Sequence, residues 1–368
     1  MKLDYLEKGI TFLKALNGSD KVLLYFDADG DGLCSGALIS EWLDENNVPH
    51  HDHVKGHNDR GELAEVFKRL LKKHKATHFI TCDMSLEASA AKFLGENKTP
   101  TLVIDHHDHV KEVPSNIAYV NPRMHAPPGQ EVPATSALAY YLYSHSGGKK
   151  NLKWVGYAGS YSDLVLVPSL PLLELEPLEM ENMMPNGQIV PPFGILEATS
   201  VPYLDESKGG MVFELVKEAI KANDKMFFWR EKKGKARKVF SIYEKGEKEA
   251  RYWYNKFLNG EGVIDHENKL VVFKMKPKLQ IKRIISTVLK ISFTGYTIMA
   301  GIEENGNVNF SNRSYSVDLS RAIPEAVQGI PGASGGGHPK AAGARLPLTH
   351  EKEFLEKFKA AMKKYPLN

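Results

Sequence analysis

Short apolar runs alternate with amphipathic stretches over the first hundred residues. The runs at 21–26, 78–81 and 101–104 are rich in apolar residues and predict short buried strands. The stretches around them repeat their apolar residues at helical spacing, which predicts helices over 5–16, 35–43, 62–73 and 86–94. Strands that alternate with helices of this length form a parallel sheet covered on both faces. The first part of the chain is therefore predicted to belong to the α/β class.

The middle of the chain is less regular. Helical spacing recurs at 135–143 and 152–160, after a loop at Pro127-Pro128-Gly129. Residues 167–192 are rich in Pro, Leu, Glu and Met and have little periodicity, which is typical of a connector or a surface insertion. A charged and mostly helical stretch follows at 210–258.

A composition shift near Gly262 predicts a second, smaller α/β domain. Asn305-Gly306 lies between two apolar runs and predicts a hairpin, and Thr349 is expected to cap a last helix that ends at Lys364. The remaining elements of this domain are predicted strands at 270–274, 296–302 and 308–311 and a helix at 281–290. We divide the chain into an N-terminal domain (1–165), a helical connector or insertion (166–262) and a C-terminal domain (263–368).

Composition excludes several classes of protein. The 368 residues are 42% hydrophobic and 25% charged, which is ordinary for a globular protein. Cys34 and Cys82 cannot form a disulfide framework, so a reducing, cytoplasmic location is expected. No segment resembles a membrane helix or a signal peptide. The net charge of +3 is too small to establish an anionic partner.

Three aspartates at alternate positions follow the first predicted strand: Asp27, Asp29 and Asp31, with Gly30 and Gly32 among them. Like charges this close raise one another's pKa, and a bound divalent cation would compensate them. A calcium loop of the EF-hand type also begins D-x-D-x-D-G, but it needs a Glu at its twelfth position, where this chain has Leu38. An acidic turn exposed to water is the remaining alternative.

Polar residues also follow the other two predicted strands. Asp83 follows 78–81, and Asp105-His106-His107 follows 101–104. An aspartate that follows a strand is more often the N-cap of the next helix, so Asp83 alone is a weak indication of a site. The segment Asp105-His106-His107 could instead be a solvated loop. Adjacent histidines between aspartates suit metal ligation supported by carboxylates.

The three groups of polar residues share one property, since each directly follows a predicted strand. Because parallel strands end at a shared edge of the sheet, Asp29, Asp31, Asp83 and His106 can meet at one point. Oxygen ligands with few imidazoles favour Mn²⁺ or Mg²⁺ over zinc. Five or more ligands exceed the needs of one ion with open positions, so two ions are expected. Such a pair, about 3.5–4 Å apart, can hold a hydroxide and bind phosphoryl oxygens for in-line attack.

A glycine-rich segment, Gly335-Gly336-Gly337-His338-Pro339-Lys340, lies near the C-terminus. Its glycines allow close approach of a ligand, and a short helix of small residues is expected after it, with amides facing a phosphate. His338 and Lys340 would add donors, and Arg313, at the end of a predicted strand, could bind phosphate through its planar guanidinium. A flexible hinge and a solvated arginine are the alternatives.

Together these motifs resemble the DHH family of phosphoesterases, in the branch with a C-terminal DHH-associated domain. That branch includes RecJ exonucleases, oligoribonucleases of the nano-RNase type and archaeal RecJ-like proteins. The matching pieces, in order, are Asp27-Ala-Asp29-Gly-Asp31-Gly32, Asp83, Asp105-His106-His107, Asp163, Ser311-Asn-Arg313-Ser314 and Gly335-Gly-Gly-His338.

The resemblance implies a role for each matched residue. Asp29, Asp31, Asp83, His106 and Asp163 would bind two Mn²⁺ ions, with Asp83 bridging and Mg²⁺ as the alternative metal. Asp27 would be a direct ligand or a support, because many relatives have His there and RecJ-like members have Asp. His107 and Asp105 would be the catalytic side chains beside the metals. Arg313, Gly336, Gly337, His338 and Lys340 would bind substrate phosphate.

The resemblance leaves several phosphodiester substrates open. The segments 225–238 and 252–254 mix basic and aromatic residues, which suits single-stranded nucleic acid, although their aromatic residues could instead be buried. We expect an exonuclease on single-stranded DNA or short RNA. The alternatives are a phosphodiesterase acting on dinucleotides or nucleoside bisphosphate, and a non-catalytic nucleic-acid-binding subunit with a replication or repair partner.

Overall fold

The computed structural model describes residues 4–56, 59, 61–108, 110–127, 130–163, 165–174, 195–225, 227–231 and 233–367. The chain divides into two compact units, Met1–Tyr243 and Glu244–Asn368. Most of the irregular stretch at 167–192 lies outside the described residues. The division into 1–165, 166–262 and 263–368 stays a proposal.

The first unit is built on a five-stranded parallel sheet of order β2-β1-β3-β4-β5. Its strands are β1 (Val22–Phe26), β2 (His50–Val54), β3 (His78–Cys82), β4 (Thr101–Ile104) and β5 (Ile117–Val120). Its helices are α1 (Asp4–Ala15), α2 (Gly30–Glu45), α3 (Leu63–His74), α4 (Ala88–Glu96), α5 (Thr135–His145), α6 (Lys153–Ser162), α7 (Leu166–Leu173), α8 (Ile195–Leu204), α9 (Gly209–Ala222) and α10 (Phe227–Arg230). A long helix, α11 (Gly234–Lys256), runs across the division into the second unit.

Apolar residues cover both faces of this sheet. Leu24 and Phe26 of β1 pack in one core cluster with residues of α1, α2, α5 and α6, and Leu23 and Tyr25 pack in another with residues of α3 and α4. Successive residues of a strand point to opposite faces, so an apolar run such as 22–26 is buried on both sides. The α/β class predicted from the alternating pattern is confirmed.

Three local predictions for this unit were incomplete. Helix α2 begins at Gly30 and not at 35, because Asp29 caps its N-terminus. Strand β2 was missed because its sequence, His-His-Asp-His-Val, belongs to a half-exposed strand at the edge of the sheet. The four-residue strand β5 was missed as well.

The second unit contains a six-stranded mixed sheet of order β10-β11-β9-β8-β7-β6. Its elements are β6 (Val263–Asp265), β7 (Leu270–Met275), α12 (Lys282–Ser292), β8 (Thr297–Glu304), β9 (Asn307–Arg313), α13 (Leu319–Val327), β10 (Ser334–His338), β11 (Ala341–Pro347) and α14 (Glu351–Lys364). Only β7 and β8 pair in parallel among these strands. The hairpin predicted at Asn305-Gly306 is present between β8 and β9, and both turn residues have the positive φ that such turns require.

Two predictions in this unit were wrong. The segment after His338 is strand β11 and not a short helix, because Gly335–His338 itself pairs antiparallel with it in the sheet. Thr349 does not cap the last helix. It lies in a 3-10 turn, and His350 occupies the N-cap position of α14 without a side-chain capping bond.

Among the described residues, no helix is both long and apolar enough to cross a membrane.

Candidate metal centre

The aspartate motif links the end of β1 to the start of α2. Asp29 is the N-cap of α2, and its Oδ1 accepts a hydrogen bond from the Gly32 amide at 3.0 Å. A Cβ at position 32 would lie 2.4 Å from the carbonyl oxygen of Asp27, so only glycine fits there. The strand-to-helix path and the buried Leu38 inside α2 exclude the EF-hand alternative.

Asp31 is completely buried, which excludes a turn exposed to water. Its two carboxylate oxygens accept hydrogen bonds from the amides of Thr135 and Ser136, at 2.8 and 2.9 Å, at the N-terminus of α5. A helix N-terminus carries partial positive charge, which favours this position for a carboxylate. Asp31 is therefore held rigidly by a helix more than a hundred residues away in sequence.

Asp83 follows β3 and is also buried. Its φ of 59° is unusual for a residue other than glycine and is common at functional sites. Its Oδ1 accepts a hydrogen bond from the Thr135 hydroxyl at 3.0 Å. Asp83 is not a helix cap, because α4 begins at Ala88 and its N-cap is Glu87.

His106 lies among three acidic side chains and forms with them the acidic cluster: Asp31, Asp83, His106 and Asp163. Its Nε2 lies 3.5 Å from Asp83 Oδ1, 3.3 Å from Asp163 Oδ2 and 4.0 Å from Asp31 Oδ2. Asp163 follows the last turn of α6, so the residue that the family resemblance matched most loosely does reach the cluster. Asp31, Asp83 and His106, which follow β1, β3 and β4, thus lie close together with Asp163. Asp29, which was expected to meet them, does not lie in either group of side chains within metal-binding distance.

Asp105 and His107 form a hydrogen-bonded pair beside the cluster. His107 Nδ1 donates to Asp105 Oδ1 at 2.8 Å. Burial alone would raise the pKa of Asp105, but the hydrogen bond and charge of His107 outweigh it and lower that pKa. Burial alone would lower the pKa of His107, but the hydrogen bond to Asp105 and the charge of Asp105 outweigh burial and raise that pKa to about 9.

Asp27 lies at the margin of the cluster. Its side chain is about one third exposed, and Lys55 Nζ lies 3.5 Å from its Oδ2. The two groups of side chains that meet within metal-binding distance in the described part of the first unit are Asp31–His106–Asp163 and Asp83–Asp105–His107. Asp27 and Asp29 belong to neither group.

The charges of the cluster require compensation. Burial is the largest cause that raises the pKa of Asp31 and Asp83, and neighbouring carboxylates raise both further. Buried carboxylates close together are stabilised when they coordinate a cation. Carboxylate oxygens with one or two imidazoles are also the donors expected for Mn²⁺ or Mg²⁺. The side chains present therefore fit divalent ions.

The structure adds residues that the sequence reasoning missed. Thr135 donates hydrogen bonds to both Asp31 and Asp83, and Ser136 donates one to Asp31. Asn121 Nδ2 donates to the carbonyl oxygen of His107 at 2.9 Å. Asn121 directly follows β5, so the strand-end rule would have found it if β5 had been recognised. No comparable signal marked Thr135, whose contacts depend on the packing of α5.

The predicted phosphate-binding residues lie in the second unit and share one end of its sheet. Ala341 of β11 is the register partner of both His338 on β10 and Arg313 on β9. Residues in one register row point to the same face, so Arg313 and His338 do too. Gly337 has a φ of 145°, and a Cβ there would lie 2.7 Å from the carbonyl oxygen of Ala341. Gly336 is different, because no described heavy atom lies within 4 Å of a Cβ built there.

Two family profiles match this chain. The profile described as "DHH family, N-terminal domain" matches residues 21–167, and the "DHHA1 domain" profile matches residues 267–364. Together they cover about two thirds of the chain. The chain belongs to the DHH family. This membership confirms the resemblance and the α/β fold class with a second, smaller domain.

Solved structures of RecJ share this fold. RecJ from Thermus thermophilus in complex with Mn²⁺ is 17% identical, with a TM-score of 0.71, and the match covers all of this chain and 56% of that one. The same protein with Mg²⁺ is 15% identical, with a TM-score of 0.63 and 100% and 53% coverage. An exonuclease RecJ bound to manganese is 17% identical, with a TM-score of 0.63 and 99% and 95% coverage. This chain thus spans little more than half the length of the Thermus protein. No curated protein sequence matches it.

Proposed function

We propose that this protein is a Mn²⁺-dependent exonuclease that acts on single-stranded DNA or short RNA, with Mg²⁺ as a substitute ion. The observation that carries the proposal is the buried cluster of Asp31, Asp83, His106 and Asp163 at the carboxyl edge of a parallel sheet. The similarity to RecJ structures that hold Mn²⁺ or Mg²⁺ supports the choice of metal and of reaction.

The geometry suggests how the side chains would share two ions. Asp31, His106 and Asp163 would hold one ion. Asp83, whose Oδ1 lies 3.5 Å from His106 Nε2, would be shared with a second ion, for which Asp29 would be a further ligand. When bound, the ions would activate water at neutral pH and neutralise charge on the phosphoryl group. The amides of Thr135 and Ser136 keep the Asp31 carboxylate in place for this role.

Asp105 and His107 would assist at the reacting phosphate. The hydrogen bond from His107 Nδ1 to Asp105 fixes the ring orientation, and the carbonyl of His107 is held by Asn121. His107 is about one third exposed, so substrate can reach it, whereas Asp105 is fully buried. Asp105 would act through His107, as a positioning residue.

Arg313 and His338 would bind substrate phosphate, with Lys340 and the glycines of β10 beside them. Both side chains lie on one face at one end of the second sheet. Arginine matches phosphate through two parallel hydrogen bonds. The open space over Gly336 leaves room for a phosphate oxygen close to the backbone.

Replacing Asp83 with Asn tests the metal role. Asn keeps an acceptor for the Thr135 hydroxyl but removes the charge, so Asp83→Asn should reduce Mn²⁺-dependent hydrolysis at least about 10³-fold, since a metal supplies several kcal/mol. Asp108→Asn is the matched control, because Asp108 is exposed in the same loop. Calorimetry with Mn²⁺ should show weaker binding by Asp83→Asn only. Undiminished turnover in that variant would refute the assignment.

Labelled oligonucleotides of graded length, in both sugars and with each end blocked in turn, test the substrate. Shortening from one unblocked end is the expected result. Activity confined to dinucleotides or nucleoside bisphosphate would favour the alternative phosphodiesterase. Binding without hydrolysis in Mn²⁺ or Mg²⁺ would favour a non-catalytic subunit.

A further inference from the structure

Tyr315 is a large aromatic side chain on the surface of the second unit. It lies two residues after Arg313, in the loop between β9 and α13, and its side chain is 59% exposed. Two amines approach its ring: Lys290 Nζ lies 4.4 Å from the ring centroid and Lys340 Nζ lies 5.8 Å from it. More than half of the side chain remains accessible beside these two cations.

The loop presents this ring on a fixed backbone. The Ser314 hydroxyl accepts hydrogen bonds from the amides of Ser316 and Val317, at 3.2 and 3.1 Å, and pairs with the Thr297 hydroxyl at 2.9 Å. The Ser314 amide donates to the carbonyl oxygen of Lys340, which joins this loop to the β10–β11 turn. A side chain held this way loses little conformational entropy when a ligand binds, so it is suited to recognition.

Lys290 is an unusual neighbour for an exposed tyrosine. It is only 5% exposed, on the face of α12 that packs on the sheet, and its Nζ donates to the carbonyl oxygen of Tyr296 at 3.3 Å. A buried ammonium group is costly unless nearby groups stabilise it, and the face of an aromatic ring does so. The Lys290 amine therefore helps to keep the Tyr315 ring in place.

The ring lies next to the predicted phosphate-binding residues Arg313 and His338, which share a register row with Ala341 and are called the phosphate row below. Tyr315 is two residues from Arg313, so their Cα atoms are at most about 7 Å apart, and Lys340 directly precedes Ala341, the register partner of Arg313 and His338. An exposed aromatic face beside cations suits a base and its adjoining phosphate in a single strand. Inorganic or base-free phosphate compounds would gain nothing from the ring.

We propose that Tyr315, with Lys290 and Lys340, forms a stacking subsite for one base of a single-stranded nucleic acid. This inference rests on the proposed function and adds to it that the substrate is recognised through a base as well as through its phosphates. Because any base offers an aromatic face, the subsite would accept all four bases.

Binding of dye-labelled single-stranded DNA to the 368-residue chain tests this subsite without turnover. Fluorescence anisotropy would be measured in EDTA and, for the Asp83→Asn chain, also in Mn²⁺. Tyr315→Ala should weaken binding about 10-fold, within the range typical for loss of one stacked base. Tyr315→Phe should bind within about 2-fold of the parent protein, because the aromatic face is retained. Ile291→Ala is the control, since Ile291 is 74% exposed beside Lys290 but has no ring.

Oligonucleotides with a single abasic position separate stacking from a general loss of affinity. For the parent protein, one abasic position should weaken binding about as much as Tyr315→Ala does, and the two changes combined should cost no more than either alone. Unchanged affinity of Tyr315→Ala, an equal loss of affinity in Ile291→Ala, or additive losses would overturn the inference. It would also be overturned if neither the parent protein in EDTA nor the Asp83→Asn chain in Mn²⁺ bound DNA. The proposed function fails separately, by a lack of metal-dependent hydrolysis.

Discussion

The N-terminal acidic cluster and the C-terminal phosphate row differ in both burial and charge. Asp31, Asp83 and His106 are almost completely buried, and the neighbouring carboxylates raise the pKa of Asp31 and Asp83. Arg313 and His338 are only partly buried, and they lie among glycines and lysines. Burying several negative charges together in the first region lowers the free energy of unfolding. The second region instead presents hydrogen-bond donors that are partly exposed to solvent.

This difference indicates which kind of ligand each region is suited to. Buried like charges are unfavourable until a cation joins them, so the first region matches metal. A partly exposed arginine beside a glycine-rich backbone matches an anion that arrives from solvent. The two regions can therefore be tested independently, one through metal binding and the other through substrate affinity.

After Asp83→Asn, the largest expected effect is that of Arg313→Ala. Loss of hydrogen bonds to a charged phosphate costs about 1.5–3 kcal/mol, so kcat/KM should fall about 10²-fold. Mn²⁺ affinity, measured by calorimetry, should stay at the parent value because the metal cluster lies in the first unit. Parallel loss of Mn²⁺ binding would show that the two regions are not separable in this way.

Substitutions at two glycines of β10 should have different effects, one on the stability of the fold and the other on substrate binding. Gly337→Ala should lower the free energy of unfolding by about 1–3 kcal/mol, since alanine is strained at a φ of 145° and meets the backbone of Ala341 and Ala342. Gly336→Ala should fold normally, within about 0.5 kcal/mol of the parent, but raise KM. Urea denaturation and steady-state kinetics measure the two effects. Equal stability of both variants would contradict this assignment.

The smallest effect is expected in the pH dependence of the metal-free protein. The pKa of Asp83 is raised on folding, so its contribution to stability is present below the ordinary value of about 4 and is lost as pH rises through the folded pKa. In EDTA, the free energy of unfolding should fall less steeply with pH in Asp83→Asn than in the parent. Asp108→Asn should follow the parent profile. Identical profiles for all three proteins would disprove the burial effect.

The sequence was most informative where a strand is buried on both faces. Runs such as 101–104 marked strand ends, and Asp31, Asp83 and His106 could be placed on one edge from them. The edge strand His50–Val54 was not predicted, because its half-exposed side chains form no apolar pattern. Strand pairing of Gly335–His338 escaped for another reason, since glycine carries no side chain that marks a strand.

The supporting contacts of the site could not be predicted from local sequence. Thr135 reaches Asp31 and Asp83 across 104 and 52 residues, and this proximity depends on how α5 packs against α2. Asp163 was found only through the family resemblance, because the small-residue helix before it has no distinctive local pattern. The paired contacts of Tyr315 with Lys290 and Lys340 likewise require the folded loop.

Both cysteines lie next to the acidic cluster. Cys34 is in α2, three residues after Asp31, and Cys82 immediately precedes Asp83, and both are free and fully buried. Burial raises the pKa of each thiol, and nearby aspartates add to this increase. Neither sulfur can therefore react with an alkylating reagent until this part of the chain opens. The rate of alkylation would report how often the interior around the carboxylates becomes exposed, and added Mn²⁺ should slow it.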